Sequence, residues 1–114
     1  MSDCLFCQIV NGSIPAEIAG ENERALAFAD INPQAPTHLL VVPKVHITNA
    51  DEVTLEHAVD IASMFSLAQE VAAASSVRDS GYRLVMNVGE DAQNSVAHLH
   101  MHVLGGRKLT WPPG

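Results

Sequence analysis

His98, His100 and His102 alternate with Leu99, Met101 and Val103 in the run Ala97-His98-Leu99-His100-Met101-His102-Val103-Leu104. A β-strand turns successive side chains to opposite faces, so this run specifies one imidazole face and one apolar face. Neighbouring rings on such a strand stand roughly 6.5–7 Å apart, near enough for two of them to engage one ligand. Burying three titratable rings costs free energy unless each finds a partner. The run therefore points to a central strand with chemistry on one side. An exposed histidine face or an adventitious metal site is the plainer use of the same pattern.

The rest of the chain supplies elements to pack around that strand. At 114 residues it reads as one domain, residues 1–114, long enough for a real core and short enough to gain from oligomerisation. Cys4 to Val10 suits a short helix stopped by Asn11-Gly12. Arg24 to Asp30 alternates as a strand, with Leu26 and Phe28 on one face, after a turn at Glu21-Asn22-Glu23. Asn32-Pro33-Gln34-Ala35-Pro36-Thr37 is a loop, and His38 to Val42 is a strand stopped by Pro43.

Thr54 to Ser76 reads as one long helix. Ala58, Ile61, Ala62, Phe65, Ala68 and Ala72 form its buried stripe, and Glu56, Asp60 and Ser63 lie towards water, with His57 a solvated side chain. Tyr82 to Val88 is another strand, and Gly105-Gly106 ends the histidine strand. This order predicts an α+β fold: an antiparallel sheet of about five strands, with one long and one short helix on one side.

Charge and composition exclude several classes. Thirteen acidic residues against six basic ones give a net charge of −7, which argues against non-specific binding to nucleic acid or to an anionic membrane. No apolar run reaches the ~18 residues that would span a bilayer, and Met1-Ser2-Asp3-Cys4 lacks the pattern of a secretion signal. The expectation is a cytoplasmic protein. In a reducing compartment Cys4-x-x-Cys7 suggests metal or redox chemistry rather than a disulfide, although two thiols packed as small hydrophobes would leave the same trace.

A neutral imidazole keeps a free lone pair near pH 7, which makes histidine a ready nucleophile towards phosphorus. Such chemistry needs one ring fixed in the correct tautomer, a second group beside the departing atom, and donors for the phosphate oxygens. The middle histidine of the alternating run, with a neighbour on either side, suits the first role.

The run His98-Leu99-His100-Met101-His102-Val103-Leu104 resembles the signature of the histidine triad (HIT) superfamily at every position. Asp30 through His38, Leu104-Gly105-Gly106-Arg107 and Trp111-Pro112-Pro113-Gly114 extend the resemblance over nearly the whole chain, closest to the Hint branch of purine nucleoside phosphoramidases. The resemblance implies an enzyme that hydrolyses the P–N bond of an AMP-like purine nucleotide joined to an amine. His100 would be the nucleophile, His102 would assist the leaving group, and His38 would stand beside the phosphate and the triad. Asn87 and Ser95 would donate to the phosphate or the scissile bond, and Asp30 would accept from the ribose hydroxyls. Phe6, Ile9, Phe28 and Ile31 would enclose the purine, although Phe28 and Ile9 would be core residues in most folds.

One loop departs from the family. Ala92-Gln93-Asn94-Ser95 stands where Gly-Gln is usual before the triad, with Asn94 in the place of the glutamine.

The zinc-containing type of HIT protein pairs an N-terminal Cys-x-x-Cys with a histidine after Pro-Lys and with the first triad histidine. Cys4, Cys7, His46 and His98 fill those four places, which implies one structural Zn2+ per chain. The resemblance further implies a homodimer and no redox cofactor. The alternatives are hydrolysis of dinucleoside polyphosphates by the same nucleophile, and a nucleotide-binding or scaffold protein whose turnover is incidental.

Overall fold

The computed structural model describes residues 3–114. Five strands, β1 (Ile18–Glu21), β2 (Ala25–Ala29), β3 (Thr37–Pro43), β4 (Tyr82–Val85) and β5 (Met101–Gly105), form one antiparallel sheet in the order β1-β2-β3-β5-β4. The α+β architecture expected from the sequence is the one observed. The last strand inserts between β3 and β4, which makes the histidine segment interior to the sheet.

The register decides which residues share a face. Leu40 lies opposite His102, Phe28 opposite Leu40, and His38 opposite Leu104, so His38, Leu40, His102 and Phe28 look the same way. The other face carries Ala25, Ala27, Val41, Met101 and Val103, all fully buried against the long helix α2 (Ala58–Ala74) through Met64, Leu67, Ala68 and Val71. Burying these apolar side chains is the main stabilisation of the fold. Gly20 permits close approach of β1 to α2, because a Cβ there would lie 3.1 Å from Val71 and 3.2 Å from Leu67.

The short helix α1 (Leu5–Val10) covers the opposite face, where Phe6 packs with Leu26, Phe28, Leu40 and Val42. The two helices therefore do not lie on one side, as the element order suggested. Phe6 is the reason: it is the buried residue of α1, and its partners are the even-numbered residues of β2 and β3.

The inward face of α2 also differs from the sequence reading. Its buried residues are Asp60, Met64, Leu67, Ala68, Val71 and Ala72, while Ala58, Ala62 and Phe65 are exposed. An alanine-rich helix offers more than one i, i+3, i+4 stripe, and the larger Met64, Leu67 and Val71 bury more area. Asp60 turns inward because Arg24 Nη1 reaches its Oδ1 at 3.0 Å. His57 is half-buried and caps the chain entering α2: its Nδ1 accepts from the Thr54 N–H at 3.0 Å.

The ladder of β5 begins only at Met101, so His98 and His100 precede the strand, and β4 ends at Val85 instead of Val88. Pro43 ends β3 and has no N–H with which to extend the pairing. Alternation nevertheless persists upstream of the strand. The Leu99 N–H donates to the Ile47 carbonyl, and Leu99 joins the α2 core while His98 and His100 turn to the other face.

Candidate active site and metal centre

A cleft of about 590 Å³ opens on the α1 side of the sheet. Its lining combines apolar side chains, Phe6, Ile9, Phe28, Ile31 and Leu40, with polar ones, Asn87, Gln93, Ser95, His100 and His102. Asp30 stands where β2 runs into the following loop and also lines the cleft. All seven residues expected to hold substrate, Asp30, Asn87, Ser95, Phe6, Ile9, Phe28 and Ile31, thus line one cavity together with His100 and His102. Phe6 meets both Phe28 (5.4 Å between centroids) and His100 (5.1 Å) edge to face, which links the helix to the histidines.

His38 does not line the cleft. It is buried behind His102, with its Nε2 2.8 Å from His102 Nδ1 and 3.3 Å from Asp30 Oδ2. The hydrogen bonds fix which nitrogen carries each proton. The Gln34 backbone N–H donates to His38 Nδ1 at 3.0 Å, so neutral His38 holds its proton on Nε2 and donates it to His102 Nδ1. His102 then holds its own proton on Nε2, the nitrogen left for the cleft. His100 is set the other way: its Nδ1–H donates to the His98 carbonyl at 2.7 Å, which leaves a bare lone pair on Nε2. Two adjacent rings, with centroids 5.2 Å apart, thus present an acceptor and a donor.

Burial keeps His102 and His38 neutral. It pushes His102 down to about 4, helped by neighbouring His100 and His38 and opposed by the Asp30 carboxylate. Burial also lowers His38, again against Asp30. Asp30, His38 and His102 place possible ligand atoms close together, but the 2.8 Å contact between the two rings is a hydrogen bond that already occupies both nitrogens.

A second cluster lies at the start of α1. Sulfur and nitrogen atoms of Cys4, Cys7, His46 and His98 all lie within 4.8 Å of one another. His98 Nδ1 is 3.3 Å from Cys4 Sγ and 3.4 Å from Cys7 Sγ, and His46 Nδ1 is 3.4 Å from Cys7 Sγ. The S–N edge of a tetrahedral zinc site is about 3.6 Å for Zn–S of about 2.3 Å and Zn–N of about 2.1 Å, so the donor set fits the ion. The tautomer fits as well. His98 Nε2–H donates to the Pro43 carbonyl at 2.9 Å, leaving the Nδ1 lone pair for a metal and anchoring the ring from behind.

The loop before the triad departs from expectation. Asn94 does not line the cleft; its Oδ1 is buried and without a hydrogen-bond partner among the described residues. The neighbouring Gln93 does line it, which the sequence reading missed. The absence of the usual glycine at that position was the available signal.

The profile of the HIT domain family matches residues 11–109 of this sequence. The chain belongs to the HIT domain family. Its HIT fold superposes on a HIT family hydrolase from Legionella pneumophila with a TM-score of 0.95 and 46% identity, covering 98% of this chain and 100% of that one. It superposes on a HIT family hydrolase from Clostridium thermocellum with a TM-score of 0.93 and 39% identity, covering 96% of each chain. A 14 kDa zinc-binding protein of Zea mays is 42% identical over 115 residues, 99% of this chain and 89% of that protein. The family match and the hydrolase neighbours support a nucleotide-hydrolase function for this HIT protein. Its Cys4, Cys7, His46 and His98 cluster is compatible with one zinc ion.

Proposed function

We propose that this chain hydrolyses nucleoside 5′-phosphoramidates, in which AMP or a similar purine nucleotide is joined through a P–N bond to an amine such as a lysine side chain. The observation that carries this reading is the opposed tautomers of His100 and His102 in a cleft that apolar side chains also line. His100 Nε2 attacks the α-phosphorus, an N–P bond forms, and the P–N bond to the amine breaks. His102 Nε2–H donates to the departing nitrogen, held in register by His38. Water then attacks the nucleotidyl-His100 phosphorus and returns a proton to His102 Nε2, the histidine–phosphorus bond breaks, and the nucleoside monophosphate leaves.

Asn87 and Ser95 donate to the phosphate oxygens in this scheme, and Asp30 accepts from the ribose hydroxyls. Phe6, Ile9, Phe28 and Ile31 take the purine. Cys4, Cys7, His46 and His98 would hold one zinc ion; with four protein ligands it is structural and offers no open position to substrate. The working form is a homodimer of one-domain chains in the cytoplasm; the dimer is supported by the outer edge of β4, which pairs with no other strand among the described residues, and by exposed Leu55 and Val59. Among the described residues, no helix is long and apolar enough to cross a membrane.

The test is hydrolysis of adenosine 5′-phosphoramidate by the intact protein and by His100→Ala, with rapid quench into alkali to trap an adenylylated chain. Turnover and adduct lost together with His100 are the expected result. Tight AMP binding without turnover would instead make the chain a nucleotide-binding module, and preference for a dinucleoside polyphosphate would change the leaving group.

A further inference from the structure

Gln93 has φ = +59°, in the left-handed region that a long side chain rarely occupies. Glutamine lacks the short carboxamide that lets asparagine settle there by bonding its own backbone. The conformation is imposed by the loop: the Gln93 N–H donates to the Glu90 carbonyl at 2.9 Å, and the Asn94 N–H to the Gly89 carbonyl at 3.1 Å. Glycine would meet this backbone demand at no steric cost. A glutamine kept at such a position calls for a use of its side chain.

Two further observations say what that use is. Gln93 lines the cleft together with Ser95, His100 and His102, and its carboxamide makes no hydrogen bond to the described residues. Asn94, by contrast, points its amide oxygen into the protein, away from the cleft. The loop therefore brings residue 93 instead of residue 94 to the cleft.

We propose that Gln93 is the residue that selects the leaving group: its carboxamide, able to donate and to accept, hydrogen-bonds the amine-side substituent on the α-phosphorus. The inference rests on the phosphoramidate reading. It places a polar, extended amine, such as the lysine side chain with its backbone amides, above unsubstituted ammonia as the preferred leaving group. In this reading the nucleotide half of the substrate is held by Asp30 and the apolar residues instead.

The experiment measures kcat/KM for adenosine 5′-phosphoramidate and for an AMP–Nε-lysine conjugate, on the intact protein, Gln93→Ala and Gln93→Gly. Both variants should shift the ratio of the two kcat/KM values about tenfold towards the unsubstituted substrate, the loss of one good hydrogen bond. AMP affinity, measured by calorimetry, should stay within about threefold. Gln93→Gly should also keep or raise the melting temperature, by up to about 5 °C, since it relieves the backbone. An unchanged ratio, or a fall in AMP affinity as large as the fall in kcat/KM, overturns the proposal. So does a ratio that moves in Gln93→Gly alone, which would assign the effect to loop mobility. If the intact protein turns over neither substrate, the phosphoramidate reading itself fails and this inference falls with it.

Discussion

The His98 carbonyl accepts the Nδ1–H of His100 at 2.7 Å, while the His98 ring turns its own Nδ1 to Cys4 and Cys7. One residue therefore connects the cysteine cluster to the candidate nucleophile. Its ring belongs to the candidate metal site and its backbone sets the tautomer of the ring two positions on.

Metal removal should reach both properties. Cys7→Ser is expected to lower zinc content from one ion per chain to near zero by atomic emission. Stability should fall by about 4 kcal/mol when free zinc had exceeded its Kd a thousandfold. Urea unfolding with and without a chelator measures this directly. A variant as stable as the parent in both conditions would mean that the cluster does not hold a metal.

His38 acts through His102, so its loss should appear in turnover more than in binding. His38→Ala is expected to lower kcat about 10–100-fold, as the loss of an orienting partner usually does, with KM moving less than about threefold. The 15N shifts of His102 should report a mixture of tautomers in place of the Nε2–H form. A fixed tautomer in the variant would show that His38 is not what orients the ring.

The pH dependence follows from the depressed pKa of His102. Between the ordinary value of 6.5 and its folded value of about 4, the unfolded chain binds a proton that the folded chain does not. Stability from this group is therefore complete above 6.5, declines as pH falls through that window, and stops changing below about 4. Denaturation midpoints from pH 7.5 to 3.5 should show this slope, and it should shrink in His102→Asn. A phosphate anion bound beside the ring favours the imidazolium, so AMP binding within the same window should take up protons, read from calorimetry in buffers of different ionisation enthalpy.

Arg24→Ala should cost about 2–3 kcal/mol in urea unfolding, because it strands the buried Asp60 carboxylate. Asp60→Asn should cost less, since no charge remains to be desolvated. Equal and negligible effects would indicate that α2 presents another face to the sheet.

The period-two alternation of the histidine run fixed the partition of faces before any fold was known, because side-chain direction in extended chain is a local property. It held even at His98 and His100, which lie outside the hydrogen-bonded strand. Apart from His38, the residues that the resemblance named for substrate and chemistry line one cleft, and the four Cys/His residues lie together, since each sits at a fixed place on the sheet or its loops. Other features were decided only by tertiary contacts. The face of α2 was set by competition between two apolar stripes and by Arg24, which is 36 positions from Asp60. The side taken by α1 was set by where Phe6 finds Leu26, Phe28, Leu40 and Val42. The proton positions on His38, His100 and His102 depend on the Gln34 N–H and the His98 carbonyl, and no spacing in a sequence encodes the direction of a hydrogen bond. Local geometry alone determined which way side chains point; three-dimensional packing determined what each of them meets.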